Sequence, residues 1–342
     1  NSIGGSAYMQ AMGFIPMVLH PNPERAMVIC FGTGNTTGTV SFFPEVEIDS
    51  IEIDKNVLSL AHHFSKWNND VHKKKNVRSI IQDGRTFTRW TKNKYDVITL
   101  EPMSPVQAGT VNLYSLEFYK QASSRLNKNG LMMQWLPLHL VGPDDAKSIL
   151  KTFQQVFPHT SIWNSFLTRI VLLVGSKEEI ILDKIRFEDV MQLPKIRESA
   201  KKIGINSFLD FTDFFLTDAV NVNSFVKNVA IITDDNPLLE FSQVTLLPPF
   251  KWQVDETFLN YLKYRIRHYP KVSGLVSAEE RRWKNNFLIR TAQRLSVFSQ
   301  RYHGPGELAF KKKEYLSGIN QIKSHLGRQK NETIKLNSTK WK

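Results

Sequence analysis

The sequence predicts a doubly wound α/β domain followed by a helical extension, and three observations carry the prediction. From Ala26 to about Gly175, short apolar runs alternate with amphipathic segments, as they do in βαβ units of a parallel sheet. The first run leads directly into a Gly-x-Gly turn, Gly32-Thr33-Gly34. Carboxylates then recur where successive strands should end, at Glu52, Asp83 and Glu101. Of the 342 residues, 41% are hydrophobic and 23% charged, which excludes a disordered chain. At roughly 150 residues per domain the length predicts about two units. We place them at 1–250, a nucleoside-binding domain, and 251–342, a basic and mainly helical tail.

Seven strands are expected, at 26–31, 48–53, 77–81, 95–100, 131–135, 161–164 and 170–174. Helices are expected at 54–64, 114–126 and 144–157. Asp54 and Asp144 serve as N-caps, and Gly130 lies just past the second helix. The last two strands, joined by a tight connection at 165–168, should form an antiparallel pair at one sheet edge. Residues 180–230 read as helical with breaks at Pro194 and Gly204, and 231–241 return to apolar runs around a turn. The layout is that of a class I methyltransferase-like, Rossmann-like fold: a mostly parallel seven-stranded sheet with helices on both faces.

Charge separates the two units. The chain carries 45 Lys+Arg against 32 Asp+Glu, net +13, and residues 251–342 alone hold 20 basic and 7 acidic side chains. The body is therefore neutral. Glycines interrupt the longest uncharged stretch, 26–44, which excludes a membrane helix there. The single cysteine, Cys30, excludes an intrachain disulfide framework and a Cys-rich metal site, and a buried strand position is expected for it. No signal peptide opens at Asn1, and a longer natural product with a cytoplasmic location is expected.

The glycine turn lets backbone approach a ligand, beside the unpaired N–H groups of the following helix. Glu52, about 20 residues on, can accept hydrogen bonds from both ribose hydroxyls. Asp83, followed by Gly84, can meet an adenine amino group. Counting Gly32 as the first position, the sixth is Thr37 and the glycine comes one later at Gly38, so the dinucleotide fingerprint G-x-G-x-x-G is incomplete. A P-loop lysine is also missing. Glu101, followed by Pro102 and Pro105, leaves the fourth strand at the crevice, where a carboxylate can act as general base toward an amine. Loop capping is the alternative role.

These residues and several further motifs resemble the polyamine aminopropyltransferases (spermidine synthases), and most of all the spermidine-synthase-like domains fused to membrane segments. The motifs are His20-Pro21-Asn22-Pro23, Gly32–Gly34, Glu52-Ile53-Asp54, Asp83-Gly84 and Tyr95-Asp96-Val97-Ile98, then Asn112 to Tyr119, Gln134-Trp135 and Thr233-Asp234-Asp235-Asn236-Pro237. The resemblance covers about residues 1–250. It implies decarboxylated S-adenosylmethionine as co-substrate and a polyamine acceptor such as putrescine. By position, Glu52 would hold the ribose, Ile53 would pack on adenine and Asp83 would read its amino group. Glu101 would be the catalytic carboxylate and Tyr8 the substrate-orienting tyrosine, with Ser104 and Gln134 at the acceptor.

The sequence also departs from that family. The usual Gly-Gly-Gly-Asp-Gly loop is Cys30-Phe31-Gly32-Thr33-Gly34, and the usual catalytic Asp is Glu101. A misplacement of about 1 Å can cost on the order of 100-fold in rate. A second Asp is replaced by Ser104, and the acidic residues flanking the tyrosine by Gly4-Gly5 and Gln10. Losing a carboxylate–ammonium contact at about 4 Å removes roughly 1–4 kcal/mol, which weakens putrescine capture. Two other readings stay open: a methyltransferase using S-adenosylmethionine, and a catalytically weak nucleoside-binding regulatory domain.

The remaining features are weaker. His62, His63 and His72 lack the spaced partners of a metal site, and no metal is expected. Asp234-Asp235 suits an amine, a metal or a self-capped turn. The basic tail, with aromatics at Tyr261, Tyr264, Tyr269, Trp283 and Phe287, suits a helical face docked by those rings; a surface for nucleic acid or anionic lipid is the alternative. A homodimer and an upstream membrane segment are the other partners considered.

Overall fold

The computed structural model describes residues 3–165, 169–242, 251–266, 268–301 and 307–327. It opens on helix α1 (Ile3–Leu19), where the sequence reading has no element. The helix buries Ala11, Met12, Phe14, Ile15, Met17 and Val18 and so is apolar nearly all round. Such a helix lacks the 3.6-residue alternation that reveals a half-buried one.

The chain then runs β1 (Arg25–Ile29), α2 (Asn35–Val40), β2 (Glu47–Glu52), α3 (Lys55–Ser59), α4 (Ser65–Asn68), β3 (Val77–Ile81), α5 (Gly84–Trp90) and β4 (Tyr95–Leu100). It continues through α6 (Leu116–Ser124), β5 (Leu126–Pro137), α7 (Pro143–Val156), β6 (His159–Asn164) and β7 (Ile170–Ser176). Next come β8 (Leu182–Asp183), α8 (Lys184–Val190), α9 (Pro194–Lys202), α10 (Phe208–Thr212), β9 (Phe215–Thr217) and α11 (Ala219–Phe225). The extension holds α12 (Lys251–Tyr264), β10 (Val272–Ser273), α13 (Ser277–Arg301) and α14 (Glu307–Gly327).

The main sheet has the order β3-β2-β1-β4-β5-β7-β6-β9. Strands β1 to β5 pair in parallel, while β7 lies antiparallel between β5 and β6. All seven expected strands are present. An eighth, β9, pairs with β6, so the expected hairpin is not the edge. Three residues amid helical sequence are too few to show strand periodicity. The connection expected at 165–168 lies largely outside the described residues.

The central strands β1, β4 and β7 are buried on both faces, which explains their near-continuous apolar sequences, while the edge strand β3 is partly exposed. Met27 and Ile29 join one core cluster, Ala26 and Val28 the other. The polar strand residues have set partners. Asp96 accepts from the Glu24 and Arg25 backbone N–H groups at 2.8 and 2.9 Å. Asp49 accepts from Tyr95 Oη at 2.7 Å and Arg78 Nε at 2.8 Å.

Three local expectations are corrected. The helix expected over 54–64 breaks after α3 into a 3₁₀ turn, Ala61–Phe64, because Asn68 Nδ2 donates to both Ala61 O (2.8 Å) and Thr33 O (3.0 Å). Asp54 does cap α3. Gly130 lies within β5, past an irregular pairing in which Asn129 takes φ +62°. Helix α7 is capped at Gly142, whose N–H donates to Asp145 Oδ2 at 3.0 Å, so Asp144 sits inside the first turn.

The extension packs onto the body. Phe258, Tyr261 and Leu262 enter one core cluster, Trp283 and Phe287 the other. Trp283 Nε1 donates to Thr212 Oγ1 at 2.9 Å. Three tail arginines converge on Asp213: Arg265 at 2.6 Å, Arg294 at 2.7 Å and Arg290 at 3.8 Å. Among the described residues no helix is long and apolar enough to cross a membrane.

Candidate active site

The parallel strands β1 to β5 all end on one side of the sheet, so their order sets the order of the residues that follow them. At the end of β2, Glu52 is 8% exposed. Its Oε1 accepts from the Ile53 N–H at 2.9 Å and the Asp54 N–H at 3.2 Å, and its Oε2 from the Gly32 N–H at 3.3 Å. These bonds aim the carboxylate at the glycine turn. Ile53 is 68% exposed, a large apolar side chain left at the rim. Asp83, past β3, caps α5 through Oδ1, which accepts from Thr86 N at 2.7 Å; Gly84 is the first residue of that helix.

In the turn itself, Gly32 has φ +55°, and a Cβ added there would meet no atom within 4 Å. The backbone therefore borders open space, as a ligand cradle requires. Gly34, with φ +77°, has the opposite surroundings: a Cβ would come within 2.4 Å of the Phe31 ring. Thr33, between them, is tied to α1 by Oγ1 donating to Met9 Sδ at 3.7 Å. Cys30 is not inside the strand as expected. It is the first residue beyond β1 and takes φ +69°, in the left-handed region. Burial pushes its thiol up to about 12, and the negative charges of Glu52, Glu101 and Asp83 add to the effect. A thiol held protonated in this way is no nucleophile.

Glu101 follows β4, its backbone N–H donating to Ile29 O at 3.4 Å. Tyr8, from α1, donates its hydroxyl to Glu101 Oε1. The Tyr8 ring stacks on Trp135, with centroids 6.2 Å apart and planes 14° from parallel. Burial pushes the Glu101 carboxyl up to about 7, and the Tyr8 hydrogen bond only partly offsets that rise. Burial and then the Glu101 charge raise the Tyr8 hydroxyl, while the Arg169 guanidinium acts in the opposite sense.

Gln134 lies beside Leu100 across the β4–β5 pairing and is fully buried. Neither of its amide atoms has a hydrogen-bond partner among the described residues, nor has the buried hydroxyl of Tyr114. Tyr114 stands next to both Gln134 and Trp135. Ser104 lies in the loop after Glu101, where its carbonyl accepts from Gln107 N at 3.1 Å.

The sequence-expected residues thus fall into two groups: Gly32, Thr33, Gly34, Glu52, Ile53, Asp83 and Gly84 at or just past the ends of β1 to β3, and Glu101 and Ser104 past β4, with Tyr8 of α1 bonded to Glu101 and Gln134 within β5. Sequence reasoning missed Tyr114, which it quoted only within a motif, and Arg169. For Arg169 no local signal existed, because its place depends on the pairing of β7 with β5.

Asp234 has a structural assignment. It forms an ion pair with Arg85 of α5, and its N–H donates to Glu117 Oε2 of α6 at 2.9 Å. The turn at Thr233–Asn236 therefore ties 231–242 to the two helices flanking the crevice. Among the described residues no three His, Cys, Asp or Glu side chains group as a metal site would need.

Residues 5–172 match the spermine/spermidine synthase domain. The polyamine aminopropyltransferase of Leptospira biflexa is 30% identical over 153 residues, 44% of this chain and 54% of that protein. The enzyme of the same description from Methanocaldococcus jannaschii is 31% identical over 160 residues, 45% of this chain and 54% of that protein. The chain thus spans about half the length of the curated relatives it matches. Among solved structures, the spermidine synthase from Thermotoga maritima superposes with a TM-score of 0.48 and 22% identity, over 58% of this chain and 75% of that one.

Proposed function

We propose, from the match of residues 5–172 to the spermine/spermidine synthase domain, that the chain transfers an aminopropyl group from decarboxylated S-adenosylmethionine to an amine. The observation that carries the reading is Glu101: a carboxylate at the end of β4, held by Tyr8, with its pKa pushed up to about 7. A general base works best when its pKa lies near the working pH.

The donor half fits the same reading. Glu52 faces the glycine turn and would take the ribose hydroxyls. Exposed Ile53 would cover one adenine face, and the outer oxygen of Asp83 would accept from the adenine amino group. Open space in front of Gly32 leaves room for the nucleoside. The amine nitrogen attacks the methylene carbon bonded to the sulfonium. The C–N bond forms as the C–S bond breaks, the electron pair passes to sulfur, and the amine proton passes to Glu101. Methylthioadenosine leaves. Because the sulfonium is already a good leaving group, alignment supplies much of the acceleration.

Tyr8 positions the carboxylate, while Ser104 and Gln134 border the acceptor. Putrescine is the reference acceptor of this reading. A cytoplasmic setting fits a chain with one cysteine and no disulfide framework.

The test is to incubate the protein with decarboxylated or intact S-adenosylmethionine and a panel of amines, then identify the released nucleoside by mass spectrometry. Methylthioadenosine from the decarboxylated donor is the expected product. Adenosylhomocysteine from the intact donor would replace this reading with methyl transfer. Binding without turnover would leave a ligand-binding domain.

A further inference from the structure

We propose that the chain holds a second small-molecule site, for a single ammonium carried on a compact apolar body, in a cavity at the end of the sheet opposite Glu101, with Asp218 as the residue that binds the charge. The proposal does not depend on the aminopropyl-transfer reading.

The sheet itself leaves room for the cavity. Strand β6 begins at His159, but its pairing with β9 ends at Ile162, which lies opposite Thr217. After Thr217 the chain passes into α11, so the outer edge of β6 over 159–161 has no neighbouring strand among the described residues. A cavity of about 310 Å³ lies there, bordered also by Leu182 and Pro270. The Leu182 N–H donates to Lys271 O at 2.8 Å, which holds the extension at this wall. Small-ligand cavities span roughly 300–1,000 Å³. Strands β5 and β6 both run antiparallel to β7 and therefore in one direction, which β2 and β4 share. The start of β6 is thus at the far end of the sheet from Glu52 and Glu101, which lie where β2 and β4 finish.

The walls define the ligand. Trp163 and Phe215 meet edge to face, with centroids 5.8 Å apart and planes at 90°. The Trp163 Nε1 is already bonded to Ser161 Oγ at 2.8 Å, so this pair offers apolar surface and no spare donor. Thr217, two residues past Phe215 on β9, points to the same sheet face. Its hydroxyl is buried and has no hydrogen-bond partner among the described residues. A buried hydroxyl is costly until something supplies the missing bond. Asp218 comes next and lines the cavity. Its Oδ1 accepts from Asn221 N at 3.5 Å and Asn221 Nδ2 at 3.3 Å, while its Oδ2 has no partner among the described residues. The other acid and base at the wall, Glu179 and Lys271, form an ion pair with each other. One carboxylate is left over, beside the His159 ring. An ammonium has three N–H bonds to place, and Asp218 Oδ2 and Thr217 Oγ1 supply two acceptors. An anion would meet the Asp218 charge and would have to take Lys271 from Glu179.

Calorimetric titration at pH 8, above the ordinary histidine range, separates the cases with three probes on one frame: 2-phenylethylamine, 2-phenylethanol and phenylacetate. The amine should bind about tenfold more tightly than the alcohol, as one carboxylate–ammonium contact in a partly solvated site gives. Phenylacetate should bind most weakly. Asp218→Asn keeps an oxygen to cap α11 and should bring the amine down to the level of the alcohol, leaving the alcohol unchanged. Asp218→Ser, a second uncharged cap, should act alike. Ala219→Phe fills the cavity from a half-buried position and should abolish binding of both. Thermal melting checks that each variant keeps the fold. Because the amine also suits the crevice at Glu101, Glu101→Gln is titrated beside them and should bind it as the unaltered protein does. The proposal is overturned if the amine gains nothing over the alcohol, if both uncharged variants keep the preference, or if Glu101→Gln is the change that removes binding. None of these outcomes bears on aminopropyl transfer, which the released nucleoside tests separately.

Discussion

Glu101, partly buried, and Asp213, buried, are both carboxylates withdrawn from water, yet their surroundings drive them in opposite directions. Burial raises both. Among the described residues Glu101 accepts from the neutral hydroxyl of Tyr8, and its carboxyl is pushed up to about 7. Asp213 meets Arg294, Arg265 and Arg290, whose charges overcome burial and hold it below the ordinary carboxylate range. The first group can gain and lose a proton near neutral pH. The second stays charged and joins the C-terminal helices to the body. Burial alone therefore does not set a carboxylate's protonation; the charge of its partners decides the direction.

The largest effect expected from breaking this contrast is at Asp213. Asp213→Ala leaves Arg265, which is 0% exposed, without its counter-charge. Removing one partner of a buried pair costs about 3–5 kcal/mol, to be read from the urea midpoint. A loss under about 1 kcal/mol would show that Asp213 does not anchor the extension.

Glu101→Gln should lower kcat by about 100-fold or more without weakening nucleoside binding, as loss of a general base does. The unaltered protein should show a rate rising with pH through about 7, and the variant a flat profile. Stability should move the other way. A carboxyl whose folded pKa is raised binds more protons folded than unfolded between about 4.5 and 7, so its contribution falls as pH rises through that window. Glu101→Gln should thus gain stability relative to the unaltered protein at pH 8 but not at pH 4. Asp213, with a lowered pKa, contributes stability above its unfolded value and loses it as pH falls through the folded one.

Tyr8→Phe sharpens the comparison by leaving Glu101 without its hydrogen bond. Its carboxyl should rise above about 7, displacing the kinetic pKa upward, with roughly a tenfold loss of rate at neutral pH. The smallest effect belongs to Cys30→Gly. Relieving a left-handed non-glycine residue should stabilise the fold by up to about 1 kcal/mol in thermal melting, with the nucleoside site intact.

The residues proposed for the donor half of the site were legible in the sequence because they are local to successive strand ends. A strand, a glycine turn and the carboxylate closing the next strand are ordered along the chain, so Gly32, Glu52 and Asp83 could be placed without coordinates. The acceptor half was legible only as residue types. Tyr8 and Glu101 are 93 positions apart, and α1, which carries Tyr8, shows no half-buried pattern. The broken helix at 54–64 was missed for a related reason: the Asn68 side chain that ends it also bonds the carbonyl of Thr33, 35 positions away.

The sequence by itself determined the parallel sheet, the turn beside it and a carboxylate at the end of each of three strands, since alternation and turn chemistry act between near neighbours. Only the tertiary structure decided which carboxylate can exchange a proton. That property depends on the charges that packing brings to each group: one neutral hydroxyl at Glu101, three guanidiniums from the extension at Asp213.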